Sequence, residues 1–250
     1  MLEVNEIFGP TIQGEGKKIG TPSVFVRFGK CNMRCEGFEV EYETPSGVKK
    51  CSCDSFHASD IAFREEWKKY ETAQKLIDEV DKFIPGYKAD IVLTGGEPLL
   101  YWEDEEFQKF MKHYIDNGFE ITIETNASLD IEITQAWQEK ILFSMSVKLS
   151  NSGEPLSKRV NIKTLSNIIN KNSSSYLKFV IDKEFLPKAS QEIESIISSI
   201  PKCDIYVMPL GDTAKIIDQN SLSVIEYAIE KGYMYSDRLH IRVWDNKRGV

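Results

Sequence analysis

The stretch PSVFVRFGKCNMRC, residues 22–35, joins an apolar, β-branched run to a loop that contains two cysteines. Runs of this kind are typical of strands that are buried on both faces of a parallel sheet. In parallel α/β folds, the functional residues collect in the loops that follow the carboxyl ends of the strands. We therefore expect Cys31 and Cys35 to lie at a functional site on that edge of the sheet.

Apolar runs and amphipathic stretches alternate along the rest of the chain. The further predicted strands are residues 90–94, 119–124, 141–146, 176–182 and 204–208. The predicted helices are residues 73–83, 105–117, 131–139, 161–170, 190–200 and 221–231. This alternation indicates βα units around a parallel sheet that is closed or partly closed into a barrel. Because the sequence has no internal repeat and no clear linker, we expect a single α/β domain over residues 1–250.

The charge balance argues against nucleic acid as a partner. The chain has 31 Lys and Arg residues against 39 Asp and Glu residues, a net charge of −8, so it lacks the broad basic surface that phosphate binding requires. No apolar run has the length to span a bilayer, and the N-terminus lacks the layout of a signal peptide. We expect a small-molecule substrate, no membrane association and a cytoplasmic location.

The cysteines are concentrated in one segment, since four of the five fall within residues 31–53. In a cytosolic enzyme, such a group indicates a metal site or a catalytic site more often than disulfides. Zinc takes thiolates at similar spacing, so a zinc site is one interpretation. It would use all four residues, namely Cys31, Cys35, Cys51 and Cys53.

The sequence FEVEYETPSGVKKCSC, residues 38–53, predicts a β-hairpin inserted in the loop of residues 29–56. It alternates, it has a Thr-Pro-Ser-Gly turn at its centre, and it sets glutamates against lysines. A turn centred on residues 45 and 46 would place Glu41 opposite Lys50. The hairpin would then close on itself and bring its two ends together.

A closed hairpin brings Cys35 close to Cys53, so that Cys31, Cys35 and Cys53 converge as in a C-x3-C-x2-C motif. Three thiolates on an iron–sulfur cubane leave one iron free for an exogenous ligand, which indicates chemistry rather than electron transfer alone. Cys51 is predicted to be the spare cysteine, because the strand should turn it away from Cys53. Cys51 as a ligand in place of Cys35 or Cys53 stays open.

Two further motifs identify a family. The strand at residues 90–94 is followed by GGEP, residues 95–98, where the backbone must approach a ligand closely. Together with the cysteine loop, it resembles the radical S-adenosylmethionine superfamily. The segment FGPTIQGEG, residues 8–16, with FVR at residues 25–27, CDS at residues 53–55 and NKRGV at residues 246–250, is similar to the 7-carboxy-7-deazaguanine synthase family.

That resemblance implies a partial (β/α)6 barrel of the radical S-adenosylmethionine type. It implies conversion of 6-carboxy-5,6,7,8-tetrahydropterin to 7-carboxy-7-deazaguanine with loss of ammonia, a step of queuosine and 7-deazapurine biosynthesis. In the family, a 5′-deoxyadenosyl radical generated at a 4Fe-4S cluster abstracts a substrate hydrogen, and Mg2+ is required. The resemblance also implies a homodimer and an external electron donor such as flavodoxin or ferredoxin.

The resemblance also assigns roles to individual residues. The cluster ligands would be Cys31, Cys35 and Cys53, and the Mg2+ ligand would be Ser55. The substrate-binding residues, within an N-terminal segment of residues 1–21 and beyond it, would be Ile12, Gln13, Gly14, Glu15, Arg27, Thr94 and Val250. The residues that bind S-adenosylmethionine would be Gly96, Glu97, Ser146, Val147, Lys148 and Lys178.

Two side chains, Glu124 and Arg27, have alternative roles. Glu124 ends the third predicted strand and could be a catalytic residue that accepts a hydrogen bond from substrate or cofactor, or it could be purely structural. Arg27 could bind the substrate carboxylate through paired hydrogen bonds, or it could pair with an acidic side chain of the protein.

Two other functions remain as alternatives. One is a radical S-adenosylmethionine activase that places a glycyl radical on a protein. The other is a non-enzymatic zinc-binding module.

Overall fold

The computed structural model describes residues 1–249 and contains one nine-stranded sheet and a separate two-stranded hairpin. The order of strands in the large sheet is β11-β10-β9-β8-β7-β6-β2-β1-β5, and β3 pairs with β4. In chain order the strands are β1 Leu2–Ile12, β2 Pro22–Phe28, β3 Val40–Glu43, β4 Lys49–Ser52, β5 Lys68–Tyr70, β6 Asp90–Gly95, β7 Ile121–Thr125, β8 Leu142–Met145, β9 Tyr176–Ile181, β10 Asp204–Pro209 and β11 Met234–Tyr235.

The parallel part of the sheet confirms the predicted α/β class. Strands β2 and β6 to β10 are the six predicted strands, and each pairs in parallel with the next. The short β11 extends this set. The open sheet is the partial barrel that the alternation of strands and helices indicated.

The sequence pattern did not reveal β1 and β5, which add to the sheet as antiparallel strands beside β2. Strand β1 lies within the segment predicted only to bind substrate. Leu2 and Val4 are buried, but polar residues interrupt the apolar pattern that follows them. The register of β1 against β2 also shifts twice, so no regular alternation was available in the sequence.

The helices cover one face of the parallel strands. They are α1 Phe56–Ser59, α2 Ala73–Val80, α3 Glu105–Asp116, α4 Leu156–Arg159, α5 Ile162–Lys171, α6 Leu186–Ile197, α7 Ala214–Lys231 and α8 Leu239–Trp244. The buried side of α3, which includes Phe107 and Phe110, belongs to the same apolar core as Ile91 and Leu93 of β6. Alternation along the strands therefore turns the other set of side chains, including Thr94, to the inner face of the barrel.

The predicted helix over residues 131–139 is wrong. The segment is irregular and contains only the start of a 3-10 turn, Gln138–Lys140. The side-chain oxygen of Gln138 accepts hydrogen bonds from the backbone nitrogens of Thr134 and Gln135, both at 2.9 Å. These bonds give the backbone an alternative to helical pairing, and the apolar spacing of the sequence does not reveal them.

The inserted hairpin is present, but its predicted register is wrong by one residue. Glu41 lies opposite Cys51 rather than Lys50, and Lys50 lies opposite Tyr42. The cause is a three-residue loop, residues 45–47, closed by a hydrogen bond of 2.9 Å from the Thr44 nitrogen to the Val48 oxygen. Gly47 allows this loop because it adopts a positive φ of 81°.

The hairpin docks through its side chains on the segment that follows Cys53. The ring of Tyr42 stacks on Phe56 with a centroid distance of 4.3 Å. The Tyr42 hydroxyl and the Lys50 ammonium group both donate to Asp60 Oδ2 at 2.7 Å. These contacts fix the hairpin against α1.

In residues 1–249, no helix is long and apolar enough to cross a membrane.

Candidate active site inside the partial barrel

Cys31, Cys35 and Cys53 lie in the loop that follows β2, near enough for their charges to affect one another. Burial raises the pKa of Cys31, and the neighbouring charges of Glu97, Cys53 and Cys35 raise it further. Burial also raises the pKa of Cys35 to about 12, against the opposing effect of Lys148. Without a bound metal these thiols are therefore protonated, and metal binding would release their protons.

The fourth cysteine of the segment is set apart from the other three. Cys51 is exposed, whereas Cys35 is buried and Cys31 and Cys53 are half-buried. The prediction that strand alternation turns Cys51 away from Cys53 was wrong, because residues two apart on a regular strand point to the same side. Strand β4 ends at Ser52, so Cys53 lies beyond the strand and is free of its alternation.

The glycine motif packs directly against the cysteine loop. The nitrogen of Gly96 donates to the Phe28 oxygen at 3.0 Å, and the nitrogen of Glu97 donates to the Lys30 oxygen at 2.7 Å. A Cβ atom on Gly96 would lie 1.9 Å from the Lys30 oxygen. Lys30 and Cys35 hold positive φ values of 73° and 50°, which non-glycine residues adopt only where the surroundings enforce them.

Glu97 is fully buried, and both oxygens of its carboxylate are used by the protein. Oε1 accepts hydrogen bonds from the Leu99 nitrogen at 3.0 Å and the Thr125 hydroxyl at 2.6 Å. Oε2 accepts one from the Asn126 nitrogen at 2.8 Å. The Glu97 carboxylate therefore joins the loop after β6 to the loop after β7, while the Glu97 backbone nitrogen contacts the cysteine loop.

The three thiols fit an iron–sulfur cluster better than a single ion. Among residues 1–249, no three His, Cys, Asp or Glu side chains are grouped so that they could hold one metal ion. A cubane takes one thiolate on each of three irons and so accepts more widely spaced sulfur atoms. Soft thiolates without a carboxylate among them also favour iron and sulfide over a hard cation.

A second group of polar side chains lies on the inner face of the barrel. Glu124 of β7 accepts hydrogen bonds from Gln13 Nε2 at 3.1 Å and from the Thr94 hydroxyl at 2.8 Å. Gln13 and Thr94 are both buried. Residues 13–18, which we call the N-terminal loop, thus cross from the β1–β2 edge to β7. The predicted substrate residues Gln13 and Thr94 and the predicted catalytic Glu124 form one hydrogen-bonded triad.

Arg27 also lies on this inner face and pairs with an acidic side chain of the protein. Its Nε is 2.8 Å from Glu6 Oε1, and its Nη1 donates to the Ser55 hydroxyl at 3.3 Å. Burial alone would raise the pKa of Glu6, but the nearby His57 ring and the charge of Arg27 hold it at about 2. Arg27 still has N–H donors for another partner, since a guanidinium has five of them.

A buried ion network surrounds Glu15. Its Oε2 is 2.5 Å from Lys178 Nζ, and its Oε1 is 2.9 Å from Arg238 Nε. Arg238 Nη2 is in turn 2.6 Å from Asp54 Oδ2. Burial alone would raise the pKa of Glu15, but Lys178 and Arg238 hold it well below its usual range. The predicted substrate residue Glu15 and the predicted cofactor residue Lys178 therefore contact each other.

The remaining predicted residues lie around these groups. Lys148 Nζ is 2.9 Å from the Ser146 hydroxyl and lies over the Phe38 ring. The intervening residue, Val147, is buried. Ile12 is the last residue of β1. A Cβ atom on Gly14 would lie 2.0 Å from His240 Nδ1. The predicted substrate residue Val250 lies outside the described residues.

The sequence did not indicate several residues that complete the site. Glu6, which pairs with Arg27, lies on the unrecognised strand β1. Arg238 immediately precedes α8, and His240 lies within it. Both are more than 200 positions from Glu15 in sequence. No spacing rule connects side chains so far apart in sequence, so only the fold could place them together.

Comparison with known proteins agrees with this architecture. The Radical SAM superfamily profile matches residues 49–171. The chain is 31% identical to the 7-carboxy-7-deazaguanine synthase of Halobacterium salinarum, over 98% of this chain and 91% of that protein. It is 29% identical to the enzyme of that name from Rhodopirellula baltica, over 95% of this chain and 85% of that protein.

Solved structures give the same fold. The crystal structure of QueE from Escherichia coli covers 96% of this chain and 94% of its own, with a TM-score of 0.64 at 20% identity. SuiB from Streptococcus suis superposes over 86% of this chain with a TM-score of 0.52. From the full-length similarity in sequence, the chain belongs to the 7-carboxy-7-deazaguanine synthase family of radical S-adenosylmethionine enzymes.

Proposed function

We propose that this enzyme converts 6-carboxy-5,6,7,8-tetrahydropterin to 7-carboxy-7-deazaguanine and ammonia. The observation that carries the proposal is the triad of Gln13, Thr94 and Glu124 on the inner face of the barrel. An amide, a hydroxyl and a carboxylate present the donors and acceptors that a pterin edge requires.

We assign the cluster to Cys31, Cys35 and Cys53, and S-adenosylmethionine to the loops around Gly96 and Lys148. When bound, these groups supply one-electron reduction and hydrogen-atom abstraction. The protein binds and orients the pterin. The buried Gln13 and Thr94 hold the Glu124 carboxylate in place, so that it can accept hydrogen bonds from ring nitrogens of the substrate without bulk water as a competitor.

Arg27 is the residue that we assign to the substrate carboxylate. Its Nε and Nη1 contact Glu6 and Ser55, which fix the guanidinium and leave other N–H donors for a charge-assisted hydrogen bond. The negative charge of Glu6 offsets the positive charge of Arg27. The site therefore recognises a carboxylate through the positions of the guanidinium N–H donors more than through excess positive charge.

We assign Mg2+ to the Ser55 hydroxyl together with substrate oxygens. Mg2+ prefers oxygen ligands and keeps several waters, so one hydroxyl is a sufficient protein contribution only while the substrate is bound. Asp54 Oδ2 pairs with Arg238, which leaves Asp54 Oδ1, 3.3 Å from the Ser55 hydroxyl, to accept a hydrogen bond from a water bound to the ion. The family resemblance supports two further proposals, a homodimer and an external reductant such as flavodoxin or ferredoxin.

The test is an anaerobic assay of the reconstituted enzyme. Incubation with the carboxylated tetrahydropterin, S-adenosylmethionine, Mg2+ and dithionite should yield 7-carboxy-7-deazaguanine and ammonia in equal amounts, with more product than cofactor consumed. A reaction without S-adenosylmethionine is the control and should yield neither. Cleavage of the cofactor without any deazapurine or ammonia would contradict the proposal and favour another radical reaction.

A further inference from the structure

Arg238 connects three parts of the chain that are distant in sequence. Its Nε donates to Glu15 Oε1 at 2.9 Å, its Nη2 to Asp54 Oδ2 at 2.6 Å, and its Nη1 to the Gly211 oxygen at 2.5 Å. Only 11% of the side chain is exposed. A planar guanidinium with donors in a fixed fork holds two carboxylates at a defined separation, which a flexible ammonium group does not.

The N-terminal loop depends on the same C-terminal region. The Gly16 nitrogen donates to the Ser236 hydroxyl at 2.7 Å, and the Leu239 nitrogen donates to the Gly14 oxygen at 2.8 Å. The His240 ring lies against Gly14 so closely that a Cβ atom there would clash. Residues 236–240 therefore form the support on which residues 14–16 rest.

A chain of contacts leads from Arg238 to the triad that faces the pterin. Arg238 fixes the Glu15 side chain, and the Glu15 nitrogen donates to Gln13 Oε1 at 3.1 Å. Gln13 donates in turn to Glu124. On its other side, Arg238 holds Asp54, which precedes the proposed Mg2+ ligand Ser55. A shift of the guanidinium would thus disturb both sides of the site.

We infer that Arg238 is a positioning residue that keeps the N-terminal loop, which carries Gln13, and the turn at Asp54 and Ser55 at a fixed separation. The inference rests on the proposed function and assigns a role to a residue outside its substrate and cofactor contacts. Its side-chain donors contact Glu15, Asp54 and the Gly211 oxygen, so it acts through Glu15 and Asp54. Its loss should therefore weaken binding of the pterin and of Mg2+ together, without removing the cluster.

The test compares Arg238→Gln with Arg242→Gln. Arg242 lies four residues further on and pairs with Asp237 and Asp218 instead of Glu15 and Asp54. Arg238→Gln should raise the KM for the pterin and the half-saturating Mg2+ concentration at least about tenfold each, because a small displacement of positioned groups is costly. Iron content should not change. Arg242→Gln should keep the wild-type values.

A direct binding measurement makes the test independent of turnover. Calorimetric titration of the pterin, with Mg2+ present and without reductant, into each reconstituted enzyme should show the same loss of affinity for Arg238→Gln, and Arg238→Lys should recover part of it because the charge is kept. Should Arg238→Gln fail to fold, Asp54→Asn removes the same ion pair from the other side and should also weaken pterin and Mg2+ binding.

Unchanged pterin affinity in a folded Arg238→Gln, or in Asp54→Asn if only that variant folds, would overturn the inference. A wild-type enzyme that binds the pterin but forms no deazapurine would overturn the proposed function, and the titrations would still decide the role of Arg238. A wild-type reconstituted enzyme that does not bind the pterin would overturn both.

Discussion

Replacing Cys35 with alanine is expected to abolish the activity, whereas replacing Cys51 leaves it intact. Cys35 is buried among the thiols of Cys31 and Cys53, while Cys51 is exposed on the hairpin. A cluster held by three thiolates that loses one of them is no longer anchored. We expect Cys35→Ala to lose most of its iron and at least about 100-fold in activity, since even the loss of outer contacts costs 10 to 100-fold in metal affinity.

Iron and acid-labile sulfide per chain, measured after anaerobic reconstitution, check this result. Cys51→Ala is a matched control because it removes a thiol from the same segment, and it should keep the iron content of the wild type. The opposite pattern, with iron lost only in Cys51→Ala, would mean that Cys51 replaces Cys35 as a ligand. Loss of iron in both variants would indicate a site with four cysteine ligands.

Gly96→Ala is expected to destabilise the fold strongly, even without cofactors. The added Cβ atom would lie 1.9 Å from the Lys30 oxygen and 2.5 Å from its carbonyl carbon. Both are backbone atoms of the cysteine loop, so no side chain can rotate away to make room. Forced displacement of packed atoms costs about 1–3 kcal/mol, which should lower the melting temperature by roughly 3–10 °C in a chain of this size.

Thermal unfolding of the apoprotein measures this effect without the cluster. Gly86→Ala is the control, because a Cβ atom on Gly86 meets no other atom within 4 Å. That variant should unfold at the temperature of the wild type or slightly above. Equal melting temperatures for Gly96→Ala and the wild type would show that the loop after β6 is not packed against the cysteine loop as described.

The parallel strands were predictable because burial on both faces leaves a direct signal in the sequence. Residues 90–94, for example, are apolar except at their ends, and they form most of β6. Strand β1 lacks that signal. Its inner side chains, such as Glu6, serve the site rather than the core, and its register against β2 is irregular. The residues of β1 therefore serve both strand pairing and the site, and their polar side chains hide the strand pattern in the sequence.

The polar site was only partly predictable for a related reason. The ends of the buried strands and the loops that follow them indicated where Thr94, Glu124 and Cys31 would lie, because functional residues collect at this edge of a parallel sheet. Nothing in the sequence indicated which side chains would pair with them. Glu15 was predicted to face the substrate, yet its oxygens contact Lys178 and Arg238. Such pairs depend on how distant segments meet in space.

The central claim is that three thiols hold a cluster with one iron open to S-adenosylmethionine, and electron paramagnetic resonance tests it most directly. The dithionite-reduced, reconstituted enzyme should give the signal of a reduced 4Fe-4S cluster. Addition of S-adenosylmethionine should change its g-values, because the cofactor becomes a ligand of the open iron. A cluster signal that stays the same with and without the cofactor, or protein that binds no iron, would contradict the claim.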